Sequence, residues 1–146
     1  MNESMPRKIA EAQTATEIAR CFPVMRQLRT HFEDEATFVA QVERQRRDGF
    51  RIAFVEDETG VRAVAGFRML ESLYAGRFCY VDDLVTDAAG RSLGYGGALF
   101  DWLVETARAK GCGRLELDSG VQRFAAHRFY LTKRMQITSH HFSLEL

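Results

Sequence analysis

The chain of 146 residues has only two prolines, Pro6 and Pro23, and no internal repeat or low-complexity tract. Nothing in it reads as a linker, so residues 1–146 are expected to form one domain. Net charge is also missing, because 20 basic residues cancel 20 acidic ones. That balance removes the electrostatic reason to expect a nucleic acid or an anionic membrane surface as partner. No run of about 18 apolar residues offers a membrane span. The opening stretch, Met1 to Glu11, lacks the apolar centre of a secretory signal. Cysteine is scarce and unpaired: Cys21, Cys79 and Cys112 form no C-x-x-C pair. An odd number of scattered thiols is a poor disulfide framework and a poor metal site. The expectation is a cytoplasmic protein with buried thiols and no metal.

What is present is an ordinary core composition, 46% hydrophobic, arranged with clear periodicity. Lys8 to Ala12 can form a first strand. Thr14 and Glu17 have capping-box spacing, and Ile18, Cys21, Phe22, Met25 and Leu28 follow at helical intervals. Pro23 lies within that helix and is expected to kink or split it. A second helix is expected over Glu35–Asp48, with Phe38 and Val42 inward and Gly49 as its stop. Phe50, Ile52 and Phe54 alternate as a strand, Asp57-Glu58-Thr59-Gly60 is turn chemistry, and Val61–Leu70 returns antiparallel. A further strand covers Arg77–Thr86. The clearest helix places Leu99, Trp102, Leu103 and Ala107 on one face and Asp101, Glu105 and Arg108 on the other. Arg114–Leu117 is a short strand, Ala125–Lys133 a helix, and Gln136–Leu146 one or two final strands. The order predicts an α/β (α+β) fold: a mixed, mostly antiparallel sheet with a βαβ crossover and helices on both faces.

The most informative stretch runs from Leu84 through Arg91-Ser92-Leu93-Gly94-Tyr95-Gly96-Gly97. A strand feeds a glycine-rich turn, and the turn feeds a helix. The first N–H groups of that helix have no intrahelical partner and point outward beside the positive end of its dipole. They make an anion site. Gly94, Gly96 and Gly97 lack Cβ atoms, so a diphosphate can approach the backbone, and Arg91 adds a fixed cation. The loop is not a Walker A motif, since no Lys-Ser/Thr follows. Nor is it a dinucleotide fingerprint, because Leu99 stands where the third glycine is needed.

Arg91, Gly94 and Gly96 satisfy R-x-x-G-x-G, which resembles the acetyl-CoA signature of the GNAT superfamily of N-acetyltransferases. The element order resembles that family over most of the chain, with specific motifs from about Tyr80 to Met135. The resemblance implies acetyl-CoA as cosubstrate, with its pyrophosphate on the N–H groups from Ser92 to Gly97. It implies main-chain contacts from Leu84, Val85 and Thr86 to the extended pantetheine arm. Ala126-His127-Arg128-Phe129-Tyr130 matches the family's A-x-x-x-Y pattern, which makes Tyr130 the general acid for the leaving thiolate. Three positions depart from the pattern. Asp87 replaces a common proline, Arg123 a common asparagine, and Arg134-Met135 a common Gly-Phe.

Direct transfer to an amine requires the neutral amine. A lysine-like amine of pKa ~10.4 is neutral about once in 2,500 molecules at pH 7, so it needs a base. Asp82 and Asp83 both qualify. Simple strand parity groups Asp82 with Tyr80 and Leu84, and Asp83 with Cys79, Val81 and Val85. The second set is apolar, which favours Asp82 for the cleft. His127, Glu71, His140 and His141 are further candidates. No serine elbow or nucleophilic cysteine context supports an acyl-enzyme, so a ternary complex is expected. The acceptor is an amine of a small molecule or peptide that the sequence does not name, and a homodimer is compatible with the fold. A catalytically weak CoA-binding module, acting as a sensor, would keep the same loop. An acetyltransferase toxin acting on aminoacyl-tRNA would want a basic groove, and only Arg44, Arg46 and Arg47 form a basic run.

Overall fold

The computed structural model describes residues 7–146. The elements in order are β1 (Lys8–Glu11), α1 (Ala15–Leu28), α2 (Glu35–Arg47), β2 (Phe50–Asp57), β3 (Gly60–Ser72), β4 (Gly76–Thr86), a short turn of 3-10 helix (Ala88–Gly90), α3 (Tyr95–Ala109), β5 (Arg114–Leu117) and α4 (Phe124–Thr132). The strands form one sheet in the order β1-β2-β3-β4-β5. The first three pairings are antiparallel. The expected mixed α/β architecture is therefore present. The chain divides into two compact units, one ending at Glu116 and one spanning Leu117–Leu146.

In the first unit, helices cover both sheet faces. Phe50, Ile52 and Phe54 of β2 and Val64 of β3 join Ile18, Phe22, Met25, Phe38 and Val42 of α1 and α2 in one buried cluster. The opposite face meets α3, where Phe67 packs edge-on against Trp102 at 6.0 Å between ring centres. Leu99 and Leu103 are fully buried there. The strand and helix periods predict this division, since alternate strand residues face opposite layers.

Local signals work as the residues dictate. The Thr14 hydroxyl accepts from Glu17 N at 3.1 Å, while the Glu17 carboxylate accepts from Thr14 N at 3.2 Å. This reciprocal cap satisfies two N–H groups that the helix cannot. The β2–β3 hairpin closes at Asp57–Gly60, with the Asp57 carboxylate accepting from Thr59 N at 2.8 Å. Pro23 does not split α1, which runs unbroken from Ala15 to Leu28. Buried residues on both sides of it, Ile18 to Phe22 and Val24 to Met25, hold the two halves on the same sheet. That packing outweighs one lost helical hydrogen bond.

The second unit is built around α4, which ends in a Schellman closure. Met135 N donates to Tyr130 O at 3.1 Å and Arg134 N to Leu131 O at 3.0 Å. The closure needs a left-handed residue, and Arg134 supplies it with φ 67°. Glycine is the common residue at this position in the family pattern for the same reason. The expected final strands are not formed: residues 136–146 carry no helix or strand. Phe142, Leu144 and Leu146 alternate as a strand would, yet they and Ile137 are exposed. Alternation alone does not make a strand without a ladder partner for the backbone.

Candidate active site

The phosphate loop begins where β4 ends. Asp87 N donates to Arg62 O at 2.8 Å, extending the β3–β4 ladder by one bond. Gln27 of α1 then clamps the turn from both sides. Its amide nitrogen donates to the Asp87 carboxylate at 2.9 Å, and its oxygen accepts from Ala88 N at 2.8 Å. Ser92 and Gly94 take left-handed backbone, φ 69° and 87°. Gly94 caps α3, and the first intrahelical bond is Ala98 N to Gly94 O at 3.0 Å. The N–H groups of Tyr95, Gly96 and Gly97 therefore lie ahead of the helical ladder, at the positive end of its dipole. N–H groups so placed can accept an anion.

Why glycine is required differs by position. Gly94 adopts a backbone conformation that side chains disfavour. Gly96 is pressed against β4, where a Cβ would lie 2.6 Å from Thr86 Oγ1. Thr86 is thus a floor for the loop as well as the end of β4. Leu93 and Arg91 are exposed, whereas the Tyr95 side chain is buried. The Tyr95 hydroxyl donates to the Asp57 carboxylate, so Tyr95 can meet a ligand only through its N–H.

Two arginines that the motif does not include complete the loop. Arg7 stacks 4.3 Å above the Tyr95 ring and donates to the Leu93 carbonyl. Arg62 lies under the turn, with its guanidinium 2.6 Å from a Cβ built on Gly90. It faces Asp57 at 3.8 Å and Asp87 at 3.9 Å. Hydrogen bonds from Thr59, then Tyr95, hold the Asp57 carboxyl down at about 2. Asp57 therefore ties the hairpin turn to the start of α3. No spacing rule in the sequence links these residues; only the folded sheet does.

β4 is eleven residues long, whereas its second neighbour, β5, has four. Much of that β4 edge extends past β5, and an extended ligand can add to such an edge as a strand does. Leu84 pairs with Ala65, Val85 with Val64, and Thr86 with Ala63 across the β3 side. The Val85 side chain is buried in the core.

The carboxylates Asp82 and Asp83 sit at a bulge. Gly66 pairs with Asp83 and Phe67 with Val81, which leaves Asp82 as the extra residue. The bulge reverses the parity expected from simple alternation. Asp83, like Val85, shares the α1/α2 face with Gly66 and Val64, while Leu84 falls on the α3 face with Val81. Both aspartates line one cavity of about 160 Å³ between that face and the two helices.

Their surroundings differ. Asp82 is held by Arg68 in a two-point pair, Nε and Nη2 each at 2.8 Å from one of its oxygens. Such a fork occupies both oxygens. Asp83 receives one bond, from Arg29 Nε at 2.7 Å, while Arg29 Nη2 binds the Asp82 carbonyl at 2.8 Å. The second Asp83 oxygen sits over Gly66, where a Cβ would come within 2.4 Å of it. Burial raises the Asp83 carboxyl above its ordinary range, against the opposing pull of Arg29. Asp83 thus combines a free oxygen with raised basicity.

Tyr130 belongs to the second unit, on α4. Burial raises its hydroxyl pKa, and Arg123 opposes the rise through its charge and a hydrogen bond. Arg123 occupies the place of the family's common asparagine, so that position still serves as a hydrogen-bond donor. His127 Nε2 lies 2.8 Å from the Gly120 carbonyl, which ties it to its own loop.

Comparison with known proteins agrees with these features. The family model described as Acetyltransferase (GNAT) family matches residues 12–135. The chain is 36% identical over 118 residues to the uncharacterized N-acetyltransferase YhdJ of Bacillus subtilis, covering 80% of this chain and 82% of that one. The protein belongs to the GNAT acetyltransferase family and is an acyltransferase. Solved structures share its fold. A transcriptional regulator from Bacillus halodurans superposes with TM-score 0.85 at 18% identity, covering 97% of this chain and 100% of that one. Glucosamine-6-phosphate N-acetyltransferase from Arabidopsis thaliana gives 0.76 at 22% identity, covering 96% and 98%.

Proposed function

We propose that this enzyme transfers an acetyl group from acetyl-CoA to a primary amine by direct attack in a ternary complex. The observation that carries the reading is the strand–turn–helix junction, where left-handed Gly94 exposes three N–H groups and Gly96 packs without a side chain on Thr86. Ser92 to Gly97 would hold the pyrophosphate, with Arg91 and Arg7 adding positive charge. Leu84, Val85 and Thr86 would meet the pantetheine arm through their main chain. When bound, acetyl-CoA supplies the acetyl group as an activated thioester.

The residues of the chain then divide the proton chemistry. The acceptor occupies the cavity at the β4 bulge. Asp83, through the oxygen not bound by Arg29, takes the proton of the attacking ammonium. Asp82 keeps Arg68 in place and, through its carbonyl, fixes Arg29. This assignment moves the base from Asp82 to its neighbour because both Asp82 oxygens are engaged. Tyr130 keeps the acid role on its motif, with a raised pKa that leaves its hydroxyl protonated at neutral pH.

The test is a thermal-shift titration with acetyl-CoA, CoA and NAD. Stabilisation by the two CoA species, growing with concentration as linkage requires, supports the reading. No shift with either, or a shift with NAD alone, overturns it.

A further inference from the structure

The cavity at the bulge is narrower in its chemistry than a generic amine site. The cavity holds about 160 Å³ and is partly open to solvent; its volume is close to the size, about 150 Å³, that accommodates one benzene molecule in an apolar protein cavity. Its walls are Met25, Phe32, Phe38, Val42, Phe50 and Ile52. All six are buried, and none is more than 8% exposed. Phe32 meets Phe38 edge-on at 5.5 Å between ring centres. Such rings accept an apolar body, and an ammonium over a ring face gains cation–π attraction.

The other six lining residues, Arg29, His31, Gln41, Gln45, Asp82 and Asp83, are polar, and most of them are already paired. Arg29 and Arg68 are paired with the two aspartates. Each anion therefore has its cation, and the cluster of four sums to zero charge. The Gln41 amide nitrogen donates to Gln45 at 2.9 Å. Asp83 keeps the free oxygen. A second ammonium on the acceptor would find no unpaired carboxylate among the lining residues. A sugar would press its hydroxyls against phenylalanine, methionine and isoleucine. Each such group buried without a partner costs binding energy. A phosphorylated amine would have to displace Asp82 or Asp83 from its arginine.

We propose that the acceptor is a primary amine at the end of an uncharged apolar stem of roughly six heavy atoms, about what the cavity volume holds. This rests on the acetyltransferase reading of the same cleft and narrows it. The chemistry is shared by free alkyl- or arylalkylamines and by the side chain of an exposed lysine. It excludes polyamines, aminoglycosides and amino sugar phosphates as preferred acceptors.

The experiment uses the full chain with two readouts: thiol release from acetyl-CoA, and amine binding by ligand-observed NMR in the presence of CoA. The amines are n-butylamine, benzylamine, Nα-acetyl-lysine amide, spermidine, glucosamine 6-phosphate and an aminoglycoside. The proposal expects the first three to bind and to exceed the last three by about tenfold or more in kcat/KM, or one pairing energy. Preference for the lysine derivative over the free amines identifies a peptide source, and the reverse a metabolite. If small apolar amines bind but release no thiol, the acyl-transfer reading fails and the binding inference stands. If spermidine, the aminoglycoside or the sugar phosphate is the better acceptor, or if no small apolar amine binds, the inference is overturned. Gln41→Glu adds an unpaired carboxylate at the cavity wall. It is expected to raise spermidine relative to n-butylamine about fivefold; an unchanged ratio contradicts the charge argument.

Discussion

The proposed phosphate loop and the proposed acceptor cavity lie at the two ends of one stretch of β4 and its following turn, yet they are built on opposite principles. The loop acts through backbone: N–H groups at the start of α3, with glycine where φ or Thr86 forbids a side chain. The cavity acts through side chains that converge from α1, α2, β2 and β4. A backbone site leaves a short, local sequence signature because it needs glycines at fixed spacing. A side-chain site leaves none, because its members come from distant segments.

The contrast can be broken by substitution. Gly96→Glu brings a side chain against Thr86 and a negative charge to the anion cradle, so acetyl-CoA binding should fall at least about a hundredfold in a protein whose circular dichroism is unchanged. Retained affinity would mean that the cradle does not bind the pyrophosphate. In the cavity, Asp83→Asn should lower kcat/KM about 10²- to 10⁴-fold, the usual worth of a general base. It should leave acetyl-CoA affinity unchanged by calorimetry. A larger loss in Asp82→Asn than in Asp83→Asn would return the base role to Asp82. Tyr130→Phe should lower kcat by about tenfold or more without weakening acetyl-CoA binding; equal turnover in single-turnover kinetics would remove it from the acid role. Leu93→Ala, a side-chain change in the backbone-made loop, should alter acetyl-CoA affinity by no more than about threefold. Smallest is a stability effect outside both regions. Arg134→Gly should stabilise the protein by about 0.5–1 kcal/mol in chemical unfolding, because glycine takes the left-handed position without strain.

Acid titration separates the two regions again. The depressed Asp57 carboxyl contributes stability above its ordinary pKa, and that contribution is lost as pH falls towards about 2. Asp57→Asn should flatten acid unfolding in that window. Asp83 has the opposite sign. Its raised pKa favours the protonated form in the fold, so its contribution is complete below the ordinary carboxylate range and is lost as pH rises through the raised value.

The element order, the start of α1, the glycine stop of α2 and the strand–turn–helix junction at Gly94 were readable because each is set by local chemistry. Thr14 and Glu17 name their own helix start, and Gly94 its own backbone. Asp82 and Asp83 were readable as a pair but not as individuals. One inserted residue at the bulge exchanges which face each side chain meets, and nothing in Val81-Asp82-Asp83-Leu84 marks the insertion. Arg29, Arg62 and Arg68 escaped for another reason. Arginine is common on surfaces, and only the folded sheet brings these three to their aspartates. At 136–146 the alternation is real but unpaired, which shows that period two records a tendency rather than a ladder.

The most direct test of the account is the pH profile of amine-dependent thiol release from acetyl-CoA, measured for the wild type and Asp83→Asn with the best amine found. The account predicts release that depends on both substrates. Its acid limb should lie above the usual aspartate value of ~3.9, because Asp83 must be ionised to accept a proton, and that limb should vanish in the variant. No amine-dependent release at any pH, or the same profile in both proteins, would contradict it.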